Sequence, residues 1–100
     1  MSDSTVPSQV ANIVTMHRKK ASESAYDHKV AIMAVGSAAN LIEQFNWTGD
    51  LQADLEQLVP SLESFRDKYY DSDGEYTSGK GEIGSLLADL RYLLSELQES

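Results

Sequence analysis

One hundred residues make a single domain with one modest core, hiding roughly two-thirds of the surface of the unfolded chain. The absence of cysteine excludes disulfides and thiolate chemistry, and a formal charge of −8 disfavours direct contact with nucleic-acid phosphates. The charge is unevenly spread: residues 1–42 sum to +1, whereas residues 43–100 set thirteen acids against Arg66, Lys68, Lys80 and Arg91, a balance of −9. A basic protein surface is the natural complement of such a field.

Residues 1–5 read as a loose tail, and Met-Ser-Asp-Ser-Thr-Val-Pro lacks the charged-then-apolar form of a secretory signal. Pro7 suits the first turn of a helix over residues 6–22, with Val10, Ile13, Val14 and Ala21 on one face. His17 adjoins Arg18-Lys19-Lys20 and is expected in solvent with them. Ser24 followed by Asp27 reads as a capping box opening a second helix over 25–45. The alternative is one long helix, because the face Ala21, Ala25, His28, Ile32, Val35, Ala39, Ile42 continues in phase. A break is the reading adopted. Val30, Met33 and Leu41 lie off that stripe, which predicts a central helix buried from two sides and kept slim by Gly36, Ala38 and Ala39. The run Val30 to Ile42 is too short and too interrupted to span a bilayer. The expectation is a soluble, cytoplasmic protein without membrane association.

Asn46-Trp47-Thr48-Gly49-Asp50 is a turn, with Asp50 as N-cap of a third helix over 51–70. Leu51, Leu55, Leu58, Leu62, Phe65 and Tyr69 give its stripe, and Pro60 predicts a kink within the helix rather than a restart, because the stripe keeps phase across it. An acidic loop over 71–81 follows, then a last helix over 82–98 striped by Ile83, Leu86, Leu87, Leu90, Leu93, Leu94 and Leu97. No alternating β-branched run competes. The fold class is all-α: a three- to four-helix bundle, mainly antiparallel because its connections are short.

The chemistry on offer is sparse. From Asp71 as first position, Asp73, Glu75 and Glu82 fall where a calcium-binding EF-hand places acids, but Tyr76 occupies the position of its obligatory glycine and Ser78 that of its aliphatic residue. His17 and His28 stand on no metal-ligand spacing; His28 lies on the apolar face, where a core or boundary role is the ordinary one. No serine sits in a nucleophile setting and no glycine-rich phosphate loop exists, so an enzyme is not expected and neither is a cofactor. Tyr69 and Tyr70 are more informative. If Tyr69 completes the leucine stripe, Tyr70 points outward among Asp67, Asp71, Asp73, Glu75 and Tyr76, an aromatic anchor with an acidic rim.

Asp67-Lys68-Tyr69-Tyr70, the acidic loop and then Gly81-Glu82-Ile83 resemble the corresponding part of the immunity proteins that neutralise DNase colicins. That likeness covers about thirty residues and implies a small acidic helical bundle whose tyrosine pair and neighbouring acids cover a basic nuclease. The proline that usually follows the tyrosine pair is absent, and the first half shows no match. Trp47-Thr48-Gly49 at mid-chain, with Tyr92 and Glu96 in a YxxxE arrangement, is similar to the WXG family of small type VII secretion substrates. Those are self-associating helical hairpins, and Pro60 with the 71–82 loop interrupts what would be their second helix. The leading expectation is a non-catalytic acidic module, an inhibitor, immunity factor or nucleic-acid mimic that docks on a basic protein, through Asp67, Tyr69, Tyr70, Asp71, Asp73, Glu75 and Tyr76. The alternative is a secreted, self-associating hairpin that buries the 51–97 stripe between chains.

Overall fold

Among the described residues the apolar periodicities are realised as four helices: α1 (Ser8–Glu23), α2 (His28–Gln44), α3 (Leu51–Asp67) and α4 (Ser78–Glu99). The structure, a computed structural model, describes residues 6–23, 28–69 and 78–99. Helices α2 and α4 pack together at the centre. Helix α1 lies against both, and α3 packs along α4 with a shorter contact to α2. The fold is an all-α bundle.

Cross-helix pairs give the directions. Arg91 pairs with Glu63, and the Gln98 Nε2 donates to Glu56 Oε2 at 3.3 Å, so partners recede along α3 as α4 advances. These two helices are antiparallel. The Arg18 Nη2 meets Glu43 Oε2 at 3.4 Å. In one continuous helix those residues, 25 positions apart, would be separated by about 37 Å. The chain therefore turns back between α1 and α2, and the long-helix alternative is excluded. The capping box at Ser24 and Asp27 lies outside the described residues.

The core is a seam of Leu55, Leu58, Val59 and Leu62 from α3 with Ile83, Leu86, Leu87, Leu90 and Leu93 from α4. Val10, Val14, Ala34, Ala38, Ala39 and Ile42 close it from the other side. Each fully buried leucine contributes roughly 1.5–3 kcal/mol before its entropy is counted. The stripe that a self-associating hairpin would bury between chains is thus buried within this one. Four packed helices also replace the two-helix hairpin implied by the second resemblance.

Several boundaries and faces differ from expectation. Helix α3 is continuous through Pro60, as the unbroken phase of its stripe predicts. Pro60 sits on the exposed face, where the carbonyl deprived of its partner can turn to water. The same helix ends at Asp67 rather than 70, the Lys68 N–H being shared between the Ser64 and Phe65 carbonyls at 3.2 Å each. Helix α4 begins at Ser78 rather than 82, taking the last part of the expected loop into its first turn. Glycines there lower helix propensity without forbidding the turn, and the long apolar stripe behind them supplies the packing.

Helix α2 buries Val35, Ala39 and Ile42 of its expected stripe, but it is not buried from two sides. Its buried positions are Ala31, Ala34, Val35, Ala38, Ala39 and Ile42. Ile32, expected on the buried stripe, is exposed, as are Met33 and Leu41, so α2 keeps an outward face of its own. His17, expected in solvent, is 2% exposed. It follows Val10 and Val14 in the stripe that faces α4, and there its Nε2 finds Asp89 Oδ2 at 2.6 Å. The carboxylate accepts only, which assigns the proton of this bond to the imidazole. Asp89 is half-exposed, so the bond fastens α1 to α4 while the carboxylate keeps contact with water.

Candidate partner-binding face

The turn that aims α3 is built from polar contacts. Gly49 has φ +101°, a backbone setting that side chains resist, and it swings the chain from Trp47 to the N-cap. The Asp50 Oδ1 then accepts from the Ala53 N–H at 3.2 Å, as its capping role requires. Asp54, only 4% exposed, accepts from the Thr48 hydroxyl at 2.8 Å and the Thr48 N–H at 3.0 Å. These donors, with the positive end of the helix, satisfy a carboxylate that would otherwise be costly to bury. Trp47 is held by its indole N–H, which donates to the Ile42 carbonyl at 2.9 Å, and by an edge contact with Phe45.

At the far end of α3 stand the described members of the predicted face. Asp67 is exposed, and its Oδ1 accepts from the neighbouring Arg66 through Nε at 3.3 Å and Nη2 at 3.2 Å. Tyr69 is half-buried, with its ring edge-on to Phe65 at 5.8 Å between centroids. It completes the leucine stripe as the spacing predicts and offers a partner only its remaining edge. Tyr70, Asp71, Asp73, Glu75 and Tyr76 lie outside the described residues. The structure describes Asp67 and Tyr69 at the end of α3, and of the calcium-like pattern from Asp71 to Glu82 it describes only the part from Ser78 on, as the start of α4. The side chain of His28 is likewise outside it.

One aromatic on this half was undervalued as a surface feature. Tyr92 is 66% exposed on α4, sharing a face with Asp89, Glu96 and Glu99 at three- and four-residue steps. Its hydrogen bond with Glu96, and then the charge of that carboxylate, hold its phenol above the usual tyrosine range. The signal was available: Tyr92 lies off the stripe Leu86, Leu90, Leu93, Leu97 and is ringed by acids. Arg91, its neighbour, is tied to Glu63 across the helix seam.

Hollows among the described residues are shallow and small. One of about 120 Å³ is lined by Val6, Val14, Arg18, Ile42 and Glu43 among others, and one of about 260 Å³ by Leu41, Gln44, Phe45, Leu58, Ser61 and Leu62. Both are smaller than the roughly 300–1,000 Å³ usual for small-molecule sites. Among the described residues no three His, Asp or Glu side chains converge on one point, and no helix is long and apolar enough to cross a membrane. No protein-family model matches the chain, and neither a curated protein nor a solved structure is similar to it.

Proposed function

We propose that the chain is a non-catalytic, cytoplasmic binding module whose acidic half docks on a basic protein surface, as an inhibitor, an immunity factor or a mimic of nucleic acid. The observation that carries this reading is the balance of −9 over residues 43–100, a stretch that includes the paired helices α3 and α4. Among its cations, Arg66 and Arg91 are engaged by Asp67 and Glu63 on those same helices. The net field outward is negative. Such a field accelerates encounter with a basic partner and repels acidic competitors, while aromatic anchors supply the slow dissociation. Tyr70 and Tyr76 are the anchors in this proposal, with Asp67, Asp71, Asp73 and Glu75 as the rim and Tyr69 as the core-packed member of the pair. Tyr92 extends the same chemistry along α4. The helices give the surface a rigid base, which limits the ordering cost of binding.

The test is affinity capture of a basic partner by the wild-type chain, by Tyr70→Ala and by Asp71→Lys. Loss of capture in both variants, with helical content unchanged, is the expected result. A partner retained at undiminished affinity by both would overturn the assignment of the face.

A further inference from the structure

Helix α2 presents a face that the bundle does not use. From Val30 to Ile42 the sequence holds no ionisable side chain, and Ile32, Met33 and Leu41 stand exposed there, Met33 at 61%. At the centre of this face is Gly36. A Cβ built on Gly36 meets nothing within 4 Å, so the folded chain has no packing reason for a glycine in mid-helix. Glycine is the poorest helix former after proline, and its other use is to let a second backbone approach closely. We infer that this face binds a second copy of the chain, with the two α2 helices crossing antiparallel at Gly36 and Ser37.

Charge selects the occupant. Two copies at −8 each repel overall, and this window presents no ionised group. It is bounded by Lys29 at one end and Glu43 at the other, opposite signs that an antiparallel crossing brings together twice. The positions also fit a two-fold axis, on which residue numbers facing each other share a constant sum. Lys29 faces the partner's Glu43, which also meets Arg18 of its own chain, Met33 faces the partner's Asn40, and Gly36 and Ser37 lie beside the axis, each near its own counterpart. At 1.5 Å of rise per residue these pairings agree on one axis to within about 1.5 Å. One helix face per copy is a small interface, so the dimer forms reversibly, with a dissociation constant on the order of 10–100 µM.

Sedimentation equilibrium on the full chain from about 5 to about 500 µM tests this directly. The wild type moves from monomer towards dimer across the range. Gly36→Gln, which enters open space in the monomer, and Met33→Glu each weaken association at least tenfold with helical circular dichroism unchanged. Gln52→Glu, adding the same charge on α3, does not. Because the chain has no cysteine, Ser37→Cys reports the axis: mild oxidation yields a disulfide-linked dimer, and Ser95→Cys on α4 yields little. A wild type that stays monomeric throughout, a dimer indifferent to both Gly36→Gln and Met33→Glu, or equal cross-linking at Ser37→Cys and Ser95→Cys would each overturn the proposal.

Discussion

The two sides of this bundle are held together by different means. Between α3 and α4 the seam is made of leucine and isoleucine, and every large apolar side chain of the stripe turns inward or half inward. Between α1 and α2 it is made of valine and alanine, with Ala21, Ala31 and Val35 forming a small cluster of their own. The leucine seam removes far more apolar area per turn, and its helices are fully amphipathic. The alanine seam brings backbones close but absorbs little, which leaves Ile32, Met33 and Leu41 outside. One side is occupied with its own core, and the other still has an apolar face to offer.

Truncation and overpacking sharpen that contrast most. Leu90→Ala, at a fully buried position of the leucine seam, lowers stability by about 2–5 kcal/mol in denaturant melts. Ala38→Leu, at a fully buried position on the alanine side, costs about 1–3 kcal/mol by forcing the helices apart. If Leu90→Ala proved the milder of the two, the leucine seam would not be the main source of stability. Asp54→Ala comes next, at about 1–3 kcal/mol, because both Thr48 donors lose their acceptor at the entrance to the seam.

A single chemical change then gives opposite signs on the two sides. Gly49→Ala, before α3, destabilises by about 1–2 kcal/mol, since φ of +101° is strained for a residue with a Cβ. Gly36→Ala, on the outward face of α2, stabilises the dilute monomer by up to about 1 kcal/mol, because its methyl meets open space. Equal signs would show that one of these backbones is not as described. The smallest effect is electrostatic. A phenol raised by Glu96 favours its neutral form, so whatever stability this pairing adds is present below the unfolded tyrosine value and lost as pH rises through the higher folded one. Glu96→Ala shifts the Tyr92 titration downward, read by NMR from the ring signals.

What the chain discloses in advance follows from how strongly each residue type advertises its face. Leu86, Leu87, Leu90 and Leu93 are heavy and in phase, so the α4 stripe was legible in full. Asp50 was legible as a cap because it precedes Leu51 and follows a turn. On helix α2 Val35, Ala39 and Ile42 were placed correctly, but Ile32, Met33 and Leu41 were expected inside because they are large, although the small residues Ala31, Ala34 and Ala38 are the ones that pack. His17 was misread from its neighbours Arg18, Lys19 and Lys20. Its position was the better guide, since 10, 14, 17 and 21 form one helical stripe, and the acceptor across from it, Asp89, is set by tertiary structure alone. Asp54 looked like an ordinary first-turn acid, and only the folded turn brings Thr48 onto it. The candidate face was legible as composition, acids around a tyrosine pair. Its described part, Asp67 and Tyr69, follows from the end of the α3 stripe.

The claim at the centre of this account is that recognition belongs to the acidic half and is electrostatic in its approach. Calorimetric titration of the captured partner, with wild type and with the double variant Asp67→Lys and Asp71→Lys, from about 50 to about 200 mM salt, tests it most directly. The account predicts that wild-type affinity falls steadily with salt, and that the variant binds at least tenfold more weakly at low salt with a shallower dependence. Equal affinities and equal slopes for the two proteins would contradict it.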